Sequence, residues 1–212
     1  MTRTAGSDGA RTLDAIRVAG LQLIFEHGYE AMSLRRLAAA VGIQPGSLYN
    51  HISTKQQLLF DLIETHMHAL LQALEKALAG IDAPADQLRA FVAFHLTYHL
   101  ARKREVFISY SELRSLEPAN YRAIVALRRL YEREVEGIIE RGIASGAFLV
   151  GDPQVAAFGI LAMLTGVCTW FRPGGRLTTD QLIRIYTEMV MGGVMRPAAP
   201  REAGRPDLGP PF

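Results

Sequence analysis

SLRRLAAAVGIQPGSLYNHISTK, residues Ser33 to Lys55, is the stretch on which the fold reading turns. Ser33 is a capping residue before a short apolar-periodic segment, Leu34 to Val41, and Gly42 ends that segment. Pro45 is suited to the first turn of a second short helix, expected to run to about His51. Ala38 is small enough for two helices to cross closely, and Gly42 can take the left-handed conformation of a tight turn. These features predict a helix-turn-helix. Ile43, Leu48 and Ile52 are expected to bury the second helix against the first helix of the chain. Gln44, Gly46, Ser47, Tyr49, Asn50 and His51 are left facing outward. Their side chains and exposed backbone suit base edges and phosphates in a major groove. Arg35, Arg36 and Lys55 have no acidic residue among them, a local charge of +3.

Working outward, the rest of the chain is nearly neutral. It has 212 residues, and 23 Lys plus Arg stand against 21 Asp plus Glu, a formal net charge of +2. Bulk charge therefore does not explain nucleic-acid binding; the local cluster does. Apolar types make up 49% and charged types 21%, which excludes a disordered or collagen-like chain. The single cysteine, Cys168, excludes a disulfide scaffold within one chain and points to a reducing, cytoplasmic setting. Residues 1–10 are polar and glycine-rich, read as a flexible start without a secretory signal. Residues 196–212, with five prolines, are expected to be disordered.

Period-2 alternation is lacking, so the fold class is all-α, with a three-helix head over residues 11–55 and a helical body over 56–195. The head's first helix is expected from Arg11 to His27 and stops at Gly28. Ser53 or Thr54 caps a long helix ending near Gly80. Helices follow from Asp82–Pro84 to Lys103, from Glu105 to Leu116 and from Pro118 to Gly146. Asp152 and Pro153 open a helix without charge to Phe171, and Thr178 or Thr179 caps a last one to Gly193. The uncharged helix is long enough to span a membrane, but Gln154, Thr165, Thr169 and its glycines favour a buried helix.

Phe25, Gly28, Tyr29, Ser33, Leu37, Ala38, Val41, Gly42, the run Ser47-Leu48-Tyr49-Asn50-His51 and Lys55 together resemble the DNA-binding domain of the tetracycline-repressor (TetR) family. Ile52 departs from the pattern, where the family usually carries Phe, and keeps the core character of the position. The resemblance implies phosphate contacts from Tyr49 and Lys55. The chemistry agrees, because helix N-termini at Ser33 and Thr54 offer amides to phosphate. Gln44, Ser47 and Asn50 are the candidates for base reading, and Arg35 for backbone or base contact. Double-stranded operator DNA is the expected partner.

In the body, Gly159, Ala162, Gly166 and Thr169 form a small-residue stripe on the uncharged helix, and Leu182, Tyr186, Met189 and Gly193 a matching one on the last helix. Both are expected to meet their copies in a four-helix, two-fold homodimer interface, as the resemblance also implies. Phe91, Phe94, His95, Tyr98, Phe107, Tyr110 and Glu112 read as walls of a ligand cavity rather than plain core.

Glu112 to Leu116 and Trp170 to Leu177 resemble a TetR subgroup controlling fatty-acid, sterol or related acyl-CoA catabolism. An acyl-CoA effector is thereby implied, with Arg114, Arg172 and Arg176 suited to its phosphates and Trp170 to its adenine or acyl part. His95 and His99 have metal-ligand spacing without a third ligand, so neither a metal nor a cofactor is expected. Cys168 lacks an adjacent base and no catalytic pattern stands out, so an enzyme is not expected. The expected function is a ligand-responsive dimeric repressor. A regulator answering another hydrophobic or aromatic ligand, or a helical ligand-binding dimer without DNA binding, stays open at this level.

Overall fold

In a computed structural model, residues 5–195 are described, with side chains from residue 9 onward. The expected disordered tail, 196–212, lies outside the described residues. Among those described, nine α-helices form the chain: α1 (Ala5–His27), α2 (Leu34–Val41), α3 (Pro45–Leu48), α4 (Lys55–Leu78), α5 (Pro84–Ala101), α6 (Lys103–Ser111), α7 (Pro118–Ala144), α8 (Pro153–Trp170) and α9 (Thr179–Val194). A 3-10 turn, Leu113–Ser115, follows α6, and a lone bridge joins Phe148 to Met195.

The local signals act as their chemistry requires. The Ser33 hydroxyl accepts from the Arg36 amide and that of Thr54 from the Gln57 amide. Asp152 accepts from the Val155 amide, and Thr178 forms a reciprocal capping box with Gln181. Each such cap is worth ~1 kcal/mol. Gly42 ends α2 with φ 76°, a left-handed conformation that lets its amide and that of Ile43 bond back into the helix end.

Three boundaries differ from the sequence reading. Helix α1 begins at Ala5 instead of Arg11, because lengthening a helix already held by packing carries no nucleation cost. Helix α3 stops at Leu48, and Tyr49 to His51 turn instead of continuing it. The Glu105–Leu116 segment is split into α6 and the 3-10 turn, with α6 starting two residues earlier at Lys103.

Helices α1 to α3 form the head around Ile16, Ile24, Met32, Leu37, Ala38, Leu48 and Ile52, all essentially inaccessible. Burying a side chain of this size stabilises by roughly 1.5–3 kcal/mol. The body is built on α5, which packs against α4, α7, α8 and α9. The head joins it through α1 on α6 and through α4, which runs on into the body.

Within the single chain, helix α8 is buried on one side only. Ala157, Ile160, Leu161, Leu164 and Val167 face the core, while Val155, Phe158, Gly159, Ala162, Thr169 and Trp170 are exposed. On α9, Ile185 and Met189 are exposed and Tyr186 half-buried, but Leu182 is 1% exposed. Leu182 therefore belongs to the chain's own core and cannot serve an intersubunit face.

Gly142, near the end of α7, is a close-packing site that sequence reading passed over. A Cβ there would lie 1.9 Å from the Phe148 ring, which is itself buried and whose amide donates to the Gly142 carbonyl. Gly142→Ala is expected to destabilise the fold by about 2 kcal/mol through overpacking. Chemical denaturation checks this; an unchanged midpoint would contradict the packing described.

Candidate DNA-reading face and ligand cavity

Gln44, Gly46, Ser47, Tyr49 and Asn50 are exposed on one turn of the head, with Tyr49 59% accessible. Ser33, Arg35, Arg36 and Thr54 are exposed beside them, and His51 is half-buried. Leu48 and Ile52 from the same segment are in the core. Of the outward set expected from the sequence, all but the half-buried His51 are exposed.

Lys55 has a further attachment. Its Nζ donates to the Glu30 carbonyl at 3.2 Å and lies 4.1 Å from the centre of the Tyr29 ring. It ties the loop before α2 to the start of α4.

A partly open cavity of about 950 Å³ lies between α1, α4, α5, α6, α7 and α8. Phe25, Met67, Leu70, Val106, Phe107 and Leu161 are among its apolar walls. Of the effector residues expected from the sequence, Phe107 and Tyr110 line it. Tyr98 lines a separate, smaller cavity of about 260 Å³, and Phe94 packs on Tyr98 with ring centres 5.4 Å apart. Arg114, Trp170, Arg172 and Arg176 are exposed outside both cavities. The cavity's cations are instead Lys103 and Arg128. Lys103 donates to the Phe171 carbonyl, and Arg128 stacks on Tyr110 at 4.2 Å and reaches the Ser109 carbonyl at 3.4 Å. Neither stood out in the sequence, because an isolated basic residue on a helix reads as surface.

Ala162, Gly166 and Thr169, three of the expected dimer residues, also line the cavity, and so does Phe158. The exposed α8 face is therefore at the same time a wall of the cavity. Cys168 lies there too, half-buried, and burial pushes its thiol up, away from the thiolate form.

A histidine cluster forms the polar side of this region. His95 and His99 stack with ring centres 3.7 Å apart, a parallel arrangement unlike two ligands converging on one ion. No group of three or more metal-ligating residues occurs among the described residues. Burial lowers His66 to about 4 and His99 to about 3, and holds His95 well below the ordinary value.

Hydrogen bonds tie the first turn of α4 and Tyr29 of the head to the segment Glu112–Glu117. Gln56 Nε2 donates to the Ser115 carbonyl at 2.6 Å, and the Glu117 amide donates to Gln56 Oε1 at 3.1 Å. Glu112, expected in the cavity, instead accepts from the Tyr29 amide at 3.4 Å and from the Ser115 hydroxyl at 3.0 Å. Phe25 of α1 meets Phe107 of α6 edge-on at 5.2 Å, and both face the cavity.

The histidines give the fold a definite pH dependence. All three stay neutral in the folded chain while their unfolded counterparts gain protons below about 6.5. The unfolded state then binds more protons, so stability is complete above that pH and is lost as pH falls from about 6.5 towards 4 and 3. The expected loss is about 1.4 kcal/mol per pH unit for each histidine. Denaturation series between pH 7 and 5 on the wild type and on His66→Gln test this; identical slopes in both would contradict it.

Comparison with known proteins follows this division. Residues 16–62 match the model of the bacterial regulatory proteins of the tetR family, and residues 82–194 that of a tetracyclin repressor-like C-terminal domain. The chain is 29% identical over 198 residues to the HTH-type transcriptional repressor KstR2 of Rhodococcus jostii (strain RHA1), covering 92% of this chain and 95% of that protein. A tetR-family regulatory protein from Rhodococcus RHA1 superimposes with a TM-score of 0.82 at 28% identity, over 87% of this chain and 97% of that one. AibR, solved with isovaleryl coenzyme A and operator DNA, gives 0.78 at 29% identity, over 84% and 97%. With its helix-turn-helix head and its ligand-binding C-terminal body both matched, the chain belongs to the TetR family of transcriptional regulators.

Proposed function

We propose that the protein is a cytoplasmic homodimeric repressor that leaves a palindromic operator when an acyl-CoA thioester enters the cavity. The observation that carries this reading is the junction where cavity wall and DNA-reading head meet: Phe25 of the head lies on Phe107 of the wall, and the Tyr29 amide of the head donates to Glu112, just after that wall. Residues 11–55 form the DNA-binding unit and 56–195 the effector-binding and dimerisation unit. Occupancy of the cavity would favour a dimer whose heads no longer match the half-site spacing, a shift between two populations.

Within the head, Gln44, Ser47 and Asn50 read base edges, with Gly46 allowing close approach. Arg35, Tyr49, His51 and Lys55 hold the backbone, with the amides at Ser33 and Thr54. Exposure of this set beside a buried Leu48 and Ile52 supports the assignment. The exposed Gly159, Ala162, Thr169 and Met189, with the half-buried Gly166 and Tyr186, form the dimer face on α8 and α9.

The acyl-CoA assignment is supported by a largely apolar cavity and by AibR's ligand. Cys168 and Thr169 line the cavity, and Trp170, Arg172 and Arg176 follow directly in sequence. An acyl chain inside the cavity would leave the CoA phosphates near those two arginines and, through the Phe171 carbonyl, near Lys103.

Binding to the chain's own upstream DNA tests the head. Lys55→Ala should weaken binding to all sequences and reduce the salt slope by about one phosphate contact. Tyr49→Phe should weaken it with the slope unchanged, and Asn50→Ala should change sequence preference as well as affinity. An unaltered salt slope in Lys55→Ala would remove the phosphate assignment, leaving only its attachment to Glu30. For the effector, a CoA-ester panel should raise the melting temperature where free CoA does not, and the same esters should abolish the DNA complex. No response at any chain length would contradict the acyl-CoA reading.

A further inference from the structure

Two of the polar groups in the cavity wall, Tyr131 and Thr165, are connected through a histidine behind it. His95, 0% exposed, has its Nδ1 2.9 Å from the Tyr131 hydroxyl and its Nε2 3.2 Å from Thr165 Oγ1. Tyr131 and Thr165 both line the cavity. Burial and the adjacent His99 keep the imidazole neutral, and burial keeps Tyr131 protonated.

A neutral imidazole has one N–H and one acceptor nitrogen. The chain therefore holds three hydrogens, those of the tyrosine, the threonine and the ring, for two links. One hydroxyl hydrogen is always left over. When Nδ1 donates to Tyr131, Thr165 donates to Nε2 and the tyrosine hydrogen is surplus. The opposite tautomer releases the threonine hydrogen instead. Thr169, one turn on, donates to the Gly166 carbonyl at 2.8 Å, while Thr165 has its contacts at His95 and, at 3.5 Å, the Tyr110 hydroxyl. Tyr110 brings its own hydrogen with its link, so the surplus stays one.

A dry hydrocarbon ligand would leave that donor unpaired in a low-dielectric site, at the full cost of its desolvation. The cavity's cations are already engaged, Lys103 with the Phe171 carbonyl and Arg128 with the Tyr110 ring and the Ser109 carbonyl, and neither tautomer of the chain adds a cation for a buried carboxylate. Resting on the reading of the cavity as the effector site, we propose that the effector carries an uncharged carbonyl oxygen against its apolar body, and that the Tyr131–His95–Thr165 chain donates its surplus hydrogen to it.

Two neutral probes of one shape test this: 4-phenylcyclohexanone and phenylcyclohexane, which differ by a single oxygen. In calorimetric titrations of the full chain, the ketone should bind about tenfold more tightly, the increment of one satisfied hydrogen bond. The infrared C=O stretch of the bound ketone should move to lower wavenumber. Tyr131→Phe/Thr165→Val should bind phenylcyclohexane more tightly than the wild type does, because the unpaired donor is gone, and should lose both the preference for the ketone and the shift. Equal affinities with an unshifted stretch in the wild type would overturn the inference while leaving the cavity reading intact. If neither probe binds, the cavity reading fails and the inference with it.

Discussion

The structure depends on one joint between head and body. Gln56 stands in the first turn of α4, which starts in the head and ends in the body, and its carboxamide is bonded on both sides. Its nitrogen donates to Ser115 and its oxygen accepts from Glu117. Glu112 completes the attachment by holding the Tyr29 amide. The segment from Glu112 to Glu117 is thus fixed to the head at one side, while α6, directly before it, forms a cavity wall through Val106, Phe107 and Tyr110. Each hydrogen bond contributes only about 1 kcal/mol net. A joint held by so few bonds suits the switching element that the proposed repressor requires.

The same economy appears in α8. Its inner residues, Ile160, Leu164 and Val167, pack on the body, while Ala162, Gly166 and Thr169 line the cavity. Val155, Phe158 and Trp170 remain exposed apolar groups. Under the proposed dimer, a ligand in the cavity would press on the surface through which the two copies meet. Effector, subunit contact and DNA head would then share two helices, α6 and α8.

The head was legible in the sequence because its signals are local. A serine cap, a left-handed glycine and Pro45 act over a few residues, and apolar spacing alone separated Leu48 and Ile52 from the outward set. The body's element order was legible for the same reason, down to Asp152 and Thr178 as caps. Its cavity was legible only in part, since the walls come from six helices far apart in sequence. Phe107 and Tyr110 announced themselves as aromatics on an apolar face. Lys103, Arg128 and Thr165 did not, because nothing in their neighbours distinguishes a cavity cation from a surface one. A stripe of small residues is equally ambiguous: at Ala162 and Gly166 it lines a void, and the same spacing logic wrongly placed the buried Leu182 on an outer face.

The central claim, that cavity and DNA head exclude each other's ligands, is a statement about coupling and is reciprocal by thermodynamic necessity. The most direct measurement is the affinity of the full chain for an acyl-CoA ester with and without saturating upstream DNA, at one salt concentration. The account predicts that DNA weakens acyl-CoA binding by the same factor by which acyl-CoA weakens DNA binding, about tenfold to a hundredfold. An acyl-CoA affinity that DNA leaves unchanged would contradict it.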